Sequence, residues 1–232
     1  MGKNTVIITA GGSSTRINHK KKKQFIEIRN RPLLFWTIDK FADHKNIDNI
    51  IITLPESEIE SYKTNIEKEF PQIPIQIIKG GKNRQESVYQ ALSNCDTDTD
   101  FVFIHDGVRP FVSNEEIEKL YQKALLVDAV IPAFKVKNTI KQIDREKVIK
   151  TLSRPHLVAA LTPQVFRYSI IWECHQKAKQ QDVICTDDAA LMEHCGLPVY
   201  WMECSANNFK ITEPFDLKIA EILLNSQLEK KI

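Results

Sequence analysis

The chain has 232 residues, 42% hydrophobic and 27% charged, and its 32 basic residues nearly cancel its 30 acidic ones to leave a net charge of +2. That balance excludes a disordered or fibrous chain and leaves no electrostatic footprint of a nucleic-acid binder. Its apolar runs fall far short of the ~18 residues a membrane-spanning helix needs, and its start lacks the pattern of a signal peptide, so no membrane association is expected.

The coarse pattern alternates strand and helix along the chain. TVIITA (5–10) reads as a buried strand ending in Gly11 and Gly12, and RPLLFWTIDKFADH (31–44) has helical spacing at Leu34, Trp36, Ile38 and Phe41. IDNIIITLP (47–55) reads as a strand stopped by proline, 56–69 as an amphipathic helix, PIQIIKGG (74–81) as a strand ending in glycines, and 84–94 as a helix. DFVFIHDG (100–107) is another buried strand. Ser113 and Glu116 then make a capping box at a helix start. DAVIPAF (128–134) is a strand. KVKNTIKQIDREKVIKTL (135–152) breaks the rhythm and reads as a hairpin leaving the sheet. Helices are expected over 164–180 and 186–195, short strands at PVYWMEC and NNFKIT, and a last helix from near Pro214.

This alternation predicts an α/β fold with a mostly parallel sheet and helices on both faces. In such sheets ligands bind beyond the carboxyl ends of the strands. The unusual residues sit there: Gly11, Gly80 with Gly81, and Asp106. Glycines at a strand end let a ligand approach the backbone and offer N–H groups to anions. Arg16 and Lys23 follow the first glycines, which suits a polyphosphate, although neither common glycine-rich nucleotide fingerprint is present. Asp106 could take a divalent metal or a ribose hydroxyl, and Arg109 could pair with it or meet a phosphate. Lys210, in an apolar stretch, is costly unless it snorkels or meets an anion. Asp187 and Asp188 read as helix caps. His105 adjoins Asp106 but on a strand faces the other way, so it reads as a supporting residue and not as a base. The five cysteines, Cys95, Cys174, Cys185, Cys195 and Cys204, form no C-x-x-C and fit no zinc spacing; reduced thiols in a cytoplasmic protein are expected.

The ordered set AGGSSTR, KQF, GG-x2-R-x2-SV, HDGVRPF, NTIK, LTPQVF, TDDA and NNFKIT resembles the cytidylyltransferases that make CDP-alcohols from polyol phosphates. The nearest type is 2-C-methyl-D-erythritol 4-phosphate cytidylyltransferase of non-mevalonate isoprenoid synthesis; ribitol-5-phosphate cytidylyltransferases share the pattern. The resemblance implies a Rossmann-like nucleotidyltransferase fold, one domain over 1–232, and a homodimer in which a β-arm at about 135–152 reaches the partner. It implies that Ala10, Gly11, Gly12 and Arg16 hold the CTP phosphates and ribose and that Lys23 neutralises phosphate charge. Gly81, Arg84 and Ser87 would line the base pocket, and Asp106 would hold Mg²⁺ beside the nucleotide. Arg109, Thr139, Arg154 and Thr186 would bind the polyol phosphate, and Lys210 would contact the α-phosphate. The chain departs from the family pattern at Ser14, Lys22, Lys82, Asn138 and Asn207, yet keeps every core basic residue, and an active enzyme is expected. The competing expectations are a ribitol-5-phosphate enzyme of the same mechanism and a nucleotide-binding module without catalysis. A metal-dependent sugar transferase ranks last for want of a D-x-D at a strand end.

Overall fold

The computed structural model describes residues 2–12 and 22–229. The chain opens with β1 (Lys3–Thr9), a 3-10 turn at Lys23–Phe25, and a small hairpin of β2 (Glu27–Ile28) and β3 (Arg31–Pro32). Strict alternation follows: α1 (Leu33–Ala42), β4 (Asn49–Leu54), α2 (Glu56–Glu69), β5 (Ile75–Lys79), α3 (Arg84–Leu92), β6 (Thr99–Asp106), α4 (Asn114–Val127) and β7 (Ala129–Lys135). The second half holds β8 (Lys141–Asp144), β9 (Lys147–Thr151), β10 (Val158–Ala160), β11 (Gln164–Arg167), α5 (Tyr168–Gln180), α6 (Asp188–His194), β12 (Tyr200–Glu203) and α7 (Pro214–Glu229).

The strands run β5-β4-β1-β6-β11-β7 across the main sheet, with β10 and β12 also paired to β7. β5, β4, β1 and β6 are mutually parallel, and β12 is parallel to β7. β11 is antiparallel to both of its neighbours, so β7 points the same way as β6. Alternate residues of each central strand feed opposite faces. Val6 and Ile8 of β1 and Phe101 and Phe103 of β6 join a core with Leu34 and Ile38 of α1, Ile66 of α2 and Leu120 of α4. Ile7, Val102 and Ile104 point the other way, into a core with Val88 of α3, Ile171 and Cys174 of α5 and Leu191 of α6. Burial on both faces is what a parallel sheet covered by crossover helices requires. α7 packs its Ala220 and Leu224 against Leu33, Val108 and Phe111 in a third cluster.

The capping box forms as expected: Ser113 Oγ accepts from the Glu116 N–H, and the Glu116 carboxylate accepts from the Ser113 N–H. The hairpin β8–β9 stands apart as its own two-stranded sheet, and every residue of its strands is exposed. It lies between β7 and β10, so it leaves the molecule at the edge where β6 ends in Asp106.

Two expectations need correction. Residues 164–180 are not one helix: Gln164–Arg167 form β11, wedged between β6 and β7, and the helix begins only at Tyr168. A short run such as QVF does not distinguish strand from helix, and here the open slot between two strands decides. NNFKIT is not a strand either. It is irregular chain, tied to the loop after β6 by the bond from the Ile211 N–H to Val108 O.

Candidate active site

Sheet register brings the strand ends together. Thr9 is level with Thr53 of β4 on one side and with Asp106 of β6 on the other. The chain beyond β1 and the chain beyond β5 then meet backbone to backbone. A Cβ placed on Gly80 would lie 3.2 Å from the Gly11 Cα and 3.3 Å from Ser87 Oγ. This close approach is why both loops carry glycine. Ser87, buried at the start of α3, accepts from the Gly81 N–H at 2.9 Å and donates to Asn83 O at 2.9 Å, so it sets the turn between strand and helix. Glu86 packs over Gly81, where a Cβ would lie 2.4 Å from its side chain, and its carboxylate accepts from the Lys82 N–H.

Gln24, not singled out in the sequence, holds the first loop. Its amide donates to Ala10 O at 2.6 Å and to Gly12 O at 3.2 Å. Its signal in the sequence is its place in KQF, next to Lys23. Lys23 sits near Asp216, at the start of α7, and its positive charge helps keep that carboxyl below the usual range. Burial opposes this shift, and the N–H groups of Thr212 and Glu213 favour it more strongly than Lys23 does. Arg16 lies outside the described residues.

Asp106 is the centre of the site. Its side chain is 7% exposed, and three cations surround it: Arg109 Nε at 3.0 Å, Lys210 Nζ at 3.1 Å and Arg84 Nε at 3.3 Å. Burial works to raise its pKa, but Arg84, Lys210 and Arg109 outweigh it and hold the carboxyl well below the usual range. Asp106 is therefore ionised. Arg109 is further fixed by donating to Asn208 O at 3.0 Å, and Asn208 donates to Thr162 O at 2.7 Å. Lys210 thus meets an anion, as its setting demanded, but from irregular chain.

His105 supports this arrangement from behind. Burial pushes its pKa down to about 4, so it is neutral. Its Nε2–H donates to Arg109 O at 3.0 Å, and its Nδ1 accepts from the Thr162 hydroxyl at 3.0 Å. The same hydroxyl oxygen accepts from the Asp106 N–H at 3.2 Å. Both ring nitrogens are committed, which leaves no lone pair for a base.

Asp187 caps α6, accepting from the Ala190 N–H at 3.0 Å. Asp188 does not cap, contrary to expectation. It is 1% exposed, accepts from Arg84 Nη1 at 2.7 Å and pairs with His175 Nε2 at 3.1 Å. Burial works to raise its pKa as well, and Arg84 and His175 reverse that and lower it. Arg84 thus bridges two buried carboxylates, whose charges raise its own pKa against the effect of burial.

The structure brings Ala10, Gly11, Gly12, Gly81, Arg84, Ser87, Asp106, Arg109 and Lys210 to one end of the sheet. Thr186 is exposed immediately before the α6 cap. Thr139 and Arg154 sit at the root of the hairpin, where Arg154 Nη1 donates to Lys137 O at 3.0 Å. Among the described residues, no hydrogen bond or ion pair joins either of them to the Asp106 cluster. The described residues contain no group of three His, Cys, Asp or Glu side chains able to hold a metal ion, and no helix among them is long and apolar enough to cross a membrane.

Comparison with known proteins matches this geometry. A relative from Clostridium novyi (strain NT), named 2-C-methyl-D-erythritol 4-phosphate cytidylyltransferase, is 41% identical over 228 residues, covering 97% of this chain and 98% of its own. A relative of the same name from Clostridium perfringens (strain SM101) is 42% identical over 222 residues, covering 95% of this chain and 98% of its own. The crystal structure of 4-diphosphocytidyl-2C-methyl-D-erythritol synthase from Anaerococcus prevotii superposes with a TM-score of 0.86 at 30% identity, covering 97% of this chain and 99% of that one. The family model for 2-C-methyl-D-erythritol 4-phosphate cytidylyltransferase matches residues 4–226, so from β1 to the last helix this chain belongs to that family.

Proposed function

We propose that this protein transfers the cytidylyl group of CTP to 2-C-methyl-D-erythritol 4-phosphate, giving the CDP-alcohol and pyrophosphate for isoprenoid synthesis. The carrying observation is Asp106 at a strand end ringed by Arg84, Arg109 and Lys210, beside a glycine-lined approach to the backbone. Three cations against the carboxylates Asp106 and Asp188 leave the cluster positive and suited to a polyphosphate.

The chemistry follows from the charges. A phosphate monoester has a second pKa of about 6, so it is largely dianionic at neutral pH and needs no base to attack. One of its oxygens forms a bond to the α-phosphorus of CTP as the bond to the bridging oxygen of the β-phosphate breaks, and pyrophosphate leaves with that electron pair. The obstacle is the meeting of two anions. Lys210 and Arg109, held in place before substrate arrives, offset that repulsion and stabilise the charge on the transferring phosphoryl group. Lys23 and Arg16 add charge from the first loop, and Gly11, Gly12, Gly81, Ser87 and Arg84 shape the nucleotide pocket. Neutral, fully bonded His105 positions Arg109 and takes no proton.

Mg²⁺ fits Asp106. A magnesium ion takes one or two carboxylates and draws its other ligands from phosphates and water. Asp106 is ionised, and among the described residues its Oδ1 carries only the 3.3 Å contact with Arg84. When bound there, the ion would neutralise phosphate charge and withdraw electrons from phosphorus.

The hairpin supports a homodimer: Ile143, Val148 and Ile149 are 63%, 60% and 55% exposed on it, with nothing among the described residues to cover them. Thr139 and Arg154 at its root would then serve the polyol phosphate of the partner's site. Five free cysteines agree with a cytoplasmic setting. Pyrophosphate release with CTP and Mg²⁺ tests the assignment, with 2-C-methyl-D-erythritol 4-phosphate and ribitol 5-phosphate in parallel. Release with the first acceptor and CTP is the expected result. Release with ribitol 5-phosphate alone would move the protein to polymer precursors, and CTP binding without release would leave a nucleotide-binding module.

A further inference from the structure

We propose that His175 is a positioning residue of the nucleotide site: it holds Asp188 in the orientation that presents Arg84 to the nucleotide. The proposal rests on the reading of the site given above. His175 lies on α5, on the far side of Asp188 from the cleft, with a fully buried side chain. Among the described residues its one polar contact is Nε2 to Asp188 Oδ1 at 3.1 Å, and its Nδ1 is buried with no partner among them. A buried imidazole with an orphaned nitrogen is costly, and an apolar side chain would fill the space without that cost. The polar atom that has a use is the one facing Asp188.

The geometry shows what that use is. Asp188 is an ionised carboxylate, so the imidazole donates to it through Nε2–H. The other carboxylate oxygen, Oδ2, accepts from Arg84 Nη1 at 2.7 Å. Arg84 in turn reaches Asp106 through Nε at 3.3 Å. His175, Asp188, Arg84 and Asp106 therefore form one line of contacts from the helix layer to the strand end. Without the imidazole, Oδ1 loses its donor inside the protein and the carboxylate turns to find another. Arg84 follows, because Asp188 is its shorter contact. α5 is a firm anchor for such a line, since Ile171, Cys174 and Ala178 fix it in the core.

The test compares CTP affinity, measured by titration calorimetry, in His175→Leu, His175→Gln and Ile171→Val. Leu fills the space without a donor, and Gln restores an N–H. Val loosens the same helix without touching Asp188. We expect His175→Leu to weaken CTP binding by about tenfold, and His175→Gln to recover most of that loss. Ile171→Val should lower the melting temperature but leave CTP affinity unchanged. Equal affinity in His175→Leu and the unaltered protein overturns the proposal, as does equal weakening in Ile171→Val or no recovery in His175→Gln. Arg84→Lys separates the two levels: unchanged CTP affinity in that variant would overturn the site reading itself. Should His175→Leu not fold, ¹⁵N spectroscopy of the unaltered protein decides. A protonated Nε2 on His175 whose signal shifts when CTP is added is the expected signature, and a ring insensitive to CTP overturns the proposal.

Discussion

Lys210 Nζ lies 3.1 Å from Asp106 Oδ2, although the two residues come from opposite halves of the chain and neither depends on the other for its local structure. Asp106 ends a central strand, and Lys210 sits in irregular chain held by the bond from the Ile211 N–H to Val108 O. The cation is therefore placed in the cleft before any substrate arrives.

Lys210→Ala should lose about 10²–10³-fold in kcat/KM, the range seen when one preorganised donor to a developing anion is removed. Arg84 and Arg109 still hold Asp106, so the melting temperature should change little. Steady-state pyrophosphate release and a thermal melt on the same preparation check both halves.

Gly80→Ala and Gly12→Ala should part company. The methyl at residue 80 meets the Gly11 backbone at 3.2 Å, whereas a Cβ at residue 12 meets nothing within 4 Å. Overpacking of this kind costs about 1–3 kcal/mol, and here it pushes apart the two loops that flank the nucleotide. Urea unfolding should show loss in Gly80→Ala and a near-normal value in Gly12→Ala, and CTP titration should show weakened binding in Gly80→Ala.

His105 makes stability depend on pH. Its folded pKa of about 4 lies below the value of about 6.5 expected for the unfolded chain. Between those values the unfolded state binds more protons, so stability rises with pH through that window and falls on acidification. His105→Gln should flatten the urea-unfolding profile over that window, while activity falls modestly as Arg109 loses part of its support.

Asp106→Asn acts in the other acid window. Its folded pKa is depressed, so its stabilisation is present above the unfolded value of about 3.9 and is lost as pH falls further. Removing a buried carboxylate from three cations should cost about 3 kcal/mol at neutral pH, and activity should fall below detection. The difference in stability from the unaltered protein should shrink as pH drops below about 4.

Val148→Asp with Ile149→Asp tests the hairpin. Both side chains are more than half exposed, so a single chain should fold normally with the change. On the proposed homodimer, sedimentation should show a dimer for the unaltered protein and a monomer for the variant, and the KM for the polyol phosphate should rise.

Helices α1 to α4 and the strands between them were legible because each carries its own period and its own stop. Pro55 follows β4, Gly80 and Gly81 follow β5, and Ser113 with Glu116 opens α4. β11 was missed because four residues are too few to show a period, and only the slot between β6 and β7 makes them a strand. Asp188 reads as a cap from sequence because a carboxylate at a helix start is adequately explained there, and nothing local reveals the arginine it meets.

By itself, then, the amino-acid sequence determined the α/β alternation, the glycine-bearing strand ends, the outlying hairpin and the family, all of which rest on local periodicity or on an ordered set of motifs. Tertiary structure alone decided that Arg84 bridges Asp106 and Asp188, that His175 stands behind Asp188, and that His105 is spent on Arg109 and Thr162. The physical reason is that residue spacing specifies which face a side chain occupies, while the partner it meets depends on the register of strands and helices far apart in the chain.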